Sequence, residues 1–340
     1  YEKGCYNLGL YMEINENYDE AERYYKKSAD KGHVKSQYRL AYLYDEKNFN
    51  EDAIEYYLKA IDSNYTMAKF RLGNLYNRQN TIESAKLYYD LACNDSMVEA
   101  KNNFAGLYFE EKNYEKAIKY YEEAIVDGCK VALENLGDLY YQTKDYQKAI
   151  SYYLRNSTSV SCQKKLADIY MEAENTDEAI IWYKKASNNE DIESSYKLGL
   201  IYEDLNNLED AKKYYLLAAK KNHLNSKLHL GRIYYNEGNY EESKKMLDVC
   251  ANENNAYAQH MVGLIYENYY SDHTNAKYWY EKSKNQGLVE SIFNLGQISL
   301  KLEEDELAKK YFKQGVEAKN KDSEYMLAGI YLKKGRNMYK

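Results

Sequence analysis

Small, apolar and aromatic residues recur along this chain in two alternating patterns. In the first, an apolar residue is followed at once by Gly or Ala, a small residue stands four positions earlier, and Tyr stands four positions later in nine of eleven cases. Residues at i, i+4, i+5 and i+8 share one face of an α-helix. We name this predicted element helix A and the apolar residue its anchor. The anchors are Leu8, Leu40, Leu72, Phe104, Leu136, Leu166, Leu198, Leu230, Val262, Leu295 and Leu327.

The second pattern begins thirteen residues after most anchors. An Ala or Ser is followed at i+3 and i+4 by two neighbouring residues that are both aromatic in nine of ten cases, as in Tyr24 and Tyr25, and usually by a small residue at i+7. This spacing again marks one helical face and predicts a second helix, helix B. The aromatic pairs are therefore expected to be core residues.

The anchors follow one another at a nearly fixed period. Each step is 32 residues, except for 30 between Leu136 and Leu166 and 33 between Val262 and Leu295. A hairpin of two helices cannot bury its own apolar face, whereas stacked hairpins can. We therefore expect an all-α chain, an α-solenoid of about ten 32-residue helix-turn-helix repeats that forms a single array over residues 1–340 and ends in an incomplete repeat. The B to A turns are expected to adopt the left-handed conformation at Gly32, Asn64, Gly128, Asn222, Asn254 and Gly287.

Two repeats depart from the period. The segment RNSTSVSC, residues 155–162, is two residues short and places Asn156 where a small residue usually stands, and NYYSDHT, residues 268–274, carries one extra residue. Strict stacking should be disturbed at such places. We predict a local bend or a weaker interface near residue 157.

These positions resemble the tetratricopeptide repeat, with Leu, Gly or Ala, Tyr, Ala and an aromatic residue at matching offsets. From helix B onward, Ala21 to Ala41 and Ala276 to Gly296 are closer to the Sel-one-like repeat, a sister family. The resemblance implies a right-handed α-α superhelix with a concave groove that holds peptides or proteins, and no catalytic residue. The family's tryptophan and late proline are missing, as are the regular cysteine pairs of Sel-one-like proteins that bind penicillin.

The residues that some members of the family use to bind chaperone C-terminal tails are only partly present in this chain. Tetratricopeptide domains that hold chaperone C-terminal tails use asparagines and cations on successive A helices. Asn74 and Asn103 match the asparagines, but Phe70, Val131 and Asn135 stand in place of cations. An anionic tail would lack a charged partner, so this class of ligand is rejected.

By analogy with the family, the groove is lined by residues two before and two and five after each anchor. The first three repeats offer aromatic residues there, and the middle of the chain is mostly acidic, with Lys164 opposing. We expect a bound segment with basic side chains in the middle and an apolar anchor toward the N-terminus. The alternative is that the tyrosines pack between helices and the charges form a solvated face. The predicted binding residues are Tyr38, Tyr42, Phe70, Asn74, Glu134, Asp138, Asp168 and Tyr196.

Composition narrows the function classes. The net charge of −7, from 47 Lys and Arg against 54 Asp and Glu, lacks the basic excess of nucleic-acid binders. No apolar stretch approaches a membrane span. The five cysteines lack paired spacing, and the five histidines lack metal-ligand spacing. We expect neither cofactor nor metal nor enzyme activity, and a cytoplasmic location, although the chain begins at Tyr1 and a leader could have been removed.

The sequence therefore favours a non-enzymatic protein-protein interaction scaffold. Two alternatives stay open. One is a self-assembling structural module that forms homo-oligomers through its terminal repeats, since the chain ends after a helix A in LKKGRNMYK. The other is a regulatory repeat region of a larger multidomain protein.

Overall fold

The computed structural model describes residues 1–337, and over that range it contains 21 α-helices and no strand. Two compact units divide the chain, Tyr1–Ile169 and Tyr170–Lys340, with the boundary inside one helix. Every predicted helix A and helix B is present, so the all-α prediction is confirmed. Of the C-terminal segment LKKGRNMYK, residues 338–340 lie outside the described part.

The first unit holds five A to B hairpins and most of a sixth helix A. Most of its helices are 13 residues long, and each hairpin packs against the next one along the chain. Its helices are α1 Glu2–Ile14, α2 Tyr18–Ala29, α3 Val34–Glu46, α4 Asn50–Asp62, α5 Thr66–Arg78, α6 Ile82–Asn94, α7 Val98–Glu110, α8 Tyr114–Val126, α9 Lys130–Gln142, α10 Tyr146–Arg155 and α11 Val160–Glu172, which crosses the boundary.

The second unit continues the alternation in the same way, with helix B following helix A after a turn of a few residues. Asn and Asp side chains cap the N-termini of most of its helices, as Asn207 does for the Asp210 amide. Its helices are α12 Thr176–Asn188, α13 Ile192–Asp204, α14 Leu208–Lys220, α15 Leu224–Asn236, α16 Tyr240–Asn252, α17 Ala256–Asn268, α18 His273–Asn285, α19 Val289–Lys301, α20 Asp305–Glu317 and α21 Lys321–Asn337.

The position directly after each anchor is a small residue because helix B packs against the backbone of helix A there. A Cβ atom at Gly137 would lie 2.4 Å from Cε1 of Tyr153, and one at Gly199 would lie 2.4 Å from Cε1 of Tyr215. Both tyrosines are almost completely buried. The second aromatic residue of helix B therefore lies directly on the backbone of helix A, and glycine permits that approach. Four further glycines meet an aromatic ring in the same way, Gly9, Gly73, Gly263 and Gly296, and Gly231 meets Leu247 at the corresponding position.

The turns repeat as regularly as the helices. A residue with positive φ occurs about every 16 positions, at Gly32, Asn64, Gly128 and Asn222 among others, as predicted. Several turns use residues that disfavour this conformation, for example Lys144 with φ 65° and Glu190 with φ 63°. The packing of hairpins at a fixed spacing thus holds even charged turn residues in the left-handed conformation.

The turn between α10 and α11 breaks this regularity. Helix α10 has ten residues, Asn156 follows it with φ −118°, and no residue from 155 to 162 has positive φ. The Asn156 side chain is 9% exposed and donates from Nδ2 to the Lys130 carbonyl at 3.3 Å. The shortened helix matches the two missing residues, while the bend or weaker interface near residue 157 stays a prediction.

Candidate functional site

The predicted binding residues lie on the A helices, at positions two before and two and five after the anchors. We call the surface that these positions form in the first unit the A-helix face. Seven of the eight residues belong to it, on α3, α5, α9 and α11, and Tyr196 lies on α13 of the second unit.

The N-terminal part of the A-helix face contains a recess of about 590 Å³. Leu10, Ile14 and Tyr42 supply its apolar wall, and Ile14 is 79% exposed. Glu13, Arg39, Glu46 and Lys47 supply equal numbers of acidic and basic groups at its rim. This recess can accept an apolar side chain and shows no preference for a charge.

Tyr38 and Phe70 contribute less surface than the sequence suggests. The Tyr38 ring is 9% exposed and packs against Tyr65, with 5.1 Å between the ring centroids. Phe70 is half-buried against Tyr89, at 6.2 Å between centroids. Both rings lie beneath the A-helix face, where Tyr38 packs against Tyr65 at the start of α5 and Phe70 packs against Tyr89 of helix B. Little of Tyr38 is left for a partner.

Asn74 belongs to a chain of amides along α5, α7 and α9. Its Oδ1 accepts from the Tyr89 hydroxyl at 2.7 Å and from Asn103 Nδ2 at 3.0 Å. Asn135 Nδ2 donates to Asn102 Oδ1 at 2.9 Å on the neighbouring pair of helices. This part of the face is therefore polar and uncharged, and its amides already hold successive repeats together.

Glu134 and Asp138 on α9 share one cation. Lys165 Nζ lies 2.8 Å from Glu134 Oε1 and 2.7 Å from Asp138, and the Tyr153 hydroxyl donates to Asp138 at 2.6 Å. Burial alone would raise the pKa of Glu134, but hydrogen bonds from Lys165 and Ser161 outweigh it and lower that pKa. Both carboxylates thus help join α9 to α11.

Asp168 lines a second recess together with Asp138. This recess has a volume of about 140 Å³, and Tyr141, Tyr153 and Lys165 complete its wall. A water molecule occupies about 30 Å³ in the liquid, so the space holds a few waters or one planar head group. Two carboxylates against one ammonium give its wall a negative charge.

Tyr196 packs among polar aromatic residues. Its ring lies 4.7 Å from His223 and 5.9 Å from His229. Burial is the main reason that the pKa of its hydroxyl is raised, and Glu193 and Glu203 add to it. Because the second unit is a separate body, we treat Tyr196 apart from the A-helix face.

The same three-part contact recurs and was not foreseen from the sequence. A buried helix B tyrosine donates to a carboxylate of its own helix A, and a cation of the next helix A pairs with that carboxylate. Tyr215, Glu203 and Arg232 form one case, and Tyr280, Glu267 and Lys301 another. The tyrosine hydroxyls are thereby satisfied, and much of the acidity is engaged within the chain. The signal was available only in part, because Arg39 and Lys165 of two similar contacts stand just before their anchors, whereas Arg232 and Lys301 stand two and six residues after theirs.

The structure adds no sign of other chemistry. Within residues 1–337 no group of three His, Cys, Asp or Glu side chains is placed to hold a metal ion, and no helix is long and apolar enough to cross a membrane. Cys5, Cys162 and Cys250 are buried free thiols. Burial raises the pKa of Cys162 to about 11, which leaves it protonated at neutral pH.

Helical hairpins that repeat at this period define the class of α-helical repeat proteins, and comparison with family profiles identifies the family. The tetratricopeptide repeat profiles match residues 38–103, 102–156, 165–188, 192–220, 224–254 and 289–322. The Sel1 repeat profile matches residues 3–33 and 256–288. These matches overlap the first part of each of the two stretches, Ala21 to Ala41 and Ala276 to Gly296, that were predicted to be closer to that family. The chain belongs to the tetratricopeptide repeat family and includes Sel1 repeats. Such repeats generally bind proteins or peptides and are typically non-catalytic.

A solved structure agrees with this fold. A protective antigen of uropathogenic Escherichia coli with an SLR fold is 20% identical, over 98% of this chain and 80% of that one, with a TM-score of 0.57. A Sel1 repeat protein from Oxalobacter formigenes is 23% identical, over 63% of this chain and 98% of that one, with a TM-score of 0.48. A comparison with curated proteins found no match.

Proposed function

We propose that the chain is a non-enzymatic interaction scaffold that binds a segment of a protein or peptide on the A-helix face. The segment places an apolar side chain in the recess beside Tyr42 and a basic side chain in the recess beside Asp168. The presence of both recesses on one face, at positions chosen from the repeat pattern, is the observation that carries this proposal.

The acidic recess sets the chemistry of the second contact. Its wall combines Asp138 and Asp168 with the rings of Tyr141 and Tyr153 and the ammonium of Lys165. A guanidinium or ammonium group can pair with carboxylates and lie against tyrosine rings. Since Lys165 already serves Glu134 and Asp138, the incoming cation adds to this network and binds more weakly at high salt.

A peptide display selection tests the proposal directly, because random peptides can be selected before any partner is identified. The selection is run on the purified chain and on a variant that carries Asp138→Asn and Asp168→Asn. We expect the wild-type chain to enrich peptides with Arg or Lys and an apolar residue, and the variant to lose the basic residues. Glu115→Lys, at an exposed position on α8, controls for general charge. Enrichment of acidic peptides, or the same enrichment on the double variant, would overturn the proposal.

Self-assembly is the second candidate function. Helix α1 exposes Leu8 and Tyr11, which are 44% and 62% exposed, and α21 exposes Tyr325 and Leu332, which are 80% and 70% exposed. Apolar surface of this kind is covered in a homo-oligomer. Light scattering over a range of protein concentrations decides the matter, since a monomer mass throughout removes this candidate and leaves the scaffold proposal untouched.

A further inference from the structure

Four tyrosines of the second unit contact one another at the turns that follow α15 and α17. The ring centroid of Tyr235 lies 5.4 Å from Tyr240, that of Tyr240 lies 5.0 Å from Tyr269, and that of Tyr269 lies 4.9 Å from Tyr270. The first and last pairs are edge to face, with interplanar angles of 73° and 71°. We name these four residues the tyrosine cluster.

Two members of the tyrosine cluster are exposed where the repeat departs from its period, and the other two, Tyr235 and Tyr240, are half-buried. Tyr269 and Tyr270 follow α17 in the turn with the extra residue, and they are 48% and 40% exposed. Tyr269 and Tyr270 stand outside the aromatic positions of the repeat pattern, and they contact Tyr240 and Glu241 of the preceding hairpin while keeping much of their rings exposed. Contiguous exposed aromatic surface is typical of sites that bind another molecule.

Two hydroxyl groups of the tyrosine cluster are available to a ligand. Tyr270 donates to Glu241 Oε1 at 2.9 Å, and Tyr235 accepts from Asn268 at 3.3 Å. Tyr240 and Tyr269 form ring contacts but no side-chain hydrogen bond within the described residues. The surface therefore offers rings set on edge together with two free donors.

We propose that the tyrosine cluster binds a proline-rich segment in the polyproline II conformation. Successive rings are 5.4 Å and 5.0 Å apart, so Tyr235 and Tyr269 are separated by at most about 10 Å. A polyproline II chain returns to the same face every third residue, about 9 Å along its axis. Its pyrrolidine rings fit between aromatic rings that stand on edge, and its unpaired carbonyls accept from tyrosine hydroxyls.

Other occupants fit this surface less well. Residues 1–340 contain no proline, so a second copy of this stretch does not supply the segment. Glu241 and Glu242, in the first turn of α16, repel phosphate groups and disfavour nucleic acid. The same carboxylates favour a basic residue beside the prolines. This site lies in the second unit and does not depend on the A-helix face.

Fluorescence anisotropy with a labelled oligoproline of about nine residues tests the proposal on the full chain. We expect saturable binding to the wild-type chain, weakening of about tenfold or more for Tyr269→Ala and Tyr270→Ala, and no change for Asp168→Asn. Tyr257→Ala is the matched control, because Tyr257 is 41% exposed on α17, the helix that precedes Tyr269 and Tyr270, and lies outside the tyrosine cluster.

Three results would overturn the proposal. These are equal binding of a Gly-Ser peptide of the same length, absence of oligoproline binding, and an equal loss of affinity in Tyr257→Ala. Tyr269→Phe retains the ring and guards against misfolding of the alanine variant. It is expected to bind more weakly than the wild-type chain but more tightly than Tyr269→Ala, because it lacks only the hydroxyl donor.

Discussion

The close approach of helix B to helix A makes a quantitative prediction at Gly137. An alanine there would place Cβ at 2.4 Å, 2.7 Å and 3.0 Å from Cε1, Cδ1 and Cζ of Tyr153. Carbon atoms prefer about 3.5 to 4.0 Å, so the helices must separate by about 1 Å. Overpacking of this kind costs about 1 to 3 kcal/mol, and the higher helix propensity of alanine recovers about 1 kcal/mol. We expect Gly137→Ala to destabilise the first unit by up to about 2 kcal/mol.

A second glycine in the same unit provides the matched control. A Cβ at Gly106, in the middle of α7, would meet only the Tyr121 hydroxyl at 3.7 Å, which is ordinary contact. Gly106→Ala should therefore stabilise its helix by up to about 1 kcal/mol. The two substitutions are chemically identical, so their opposite signs isolate the tyrosine contact.

Amide hydrogen exchange provides the assay, because it reports the opening of each helix separately. Exchange in α9 should become faster in Gly137→Ala, by up to about thirtyfold for 2 kcal/mol, and exchange in α7 should become slower in Gly106→Ala. In the background of Tyr153→Ala, Gly137→Ala should lose its cost, because the ring that it meets is gone. The reasoning fails if Gly137→Ala protects α9 as Gly106→Ala protects α7.

Three further predictions concern the turns, the buried histidine and the short helix. Lys144→Gly should raise the midpoint of urea unfolding, because glycine tolerates the positive φ of this residue; the expected gain in stability is about 1 kcal/mol. Thr143→Gly is the control, since Thr143 has φ −82° and should gain no stability. Equal effects of the two substitutions would contradict the prediction. Burial holds the pKa of His260 below its ordinary 6.5, so the unfolded chain binds a proton more readily and the stability of the fold should fall as the pH drops below 6.5. In thermal unfolding, His260→Gln should lose less stability at low pH than the wild-type chain. An equal loss of stability in the two chains would refute the role of His260. Limited trypsin digestion should cut first after the exposed Arg155, the last residue of the short α10. First cuts elsewhere would count against a weak interface there.

The helices and the core could be predicted because the repeat supplies the same information about ten times over. Each anchor, small residue and aromatic pair sits at a fixed offset, and burial follows from those offsets alone. The exposed aromatic cluster at Tyr269 and Tyr270 was signalled only as an extra residue in one repeat. Its ring contacts depend on how the turns of two successive hairpins pack against each other. The spacing of residues within one hairpin does not define that packing.

The charged residues of the face were harder to interpret than the apolar ones. Glu134 and Asp138 lie on an A helix as expected, but both pair with Lys165 of the next A helix, a pairing that was not foreseen from the sequence. Lys165 stands one position from the groove positions taken from the family pattern. A shift of one residue turns a helical side chain by about 100°, so the pattern assigned that lysine to another face. Pairing across successive repeats therefore needs coordinates.

The central claim is that the A-helix face of the first unit holds a protein segment. Hydrogen exchange of the chain with and without a peptide from the display selection tests it most directly. The account predicts slower exchange in α3 and α9, beside the recesses at Tyr42 and Asp138, and no change in α4 and α8. Protection confined to α4 and α8, on the B helices, would contradict it.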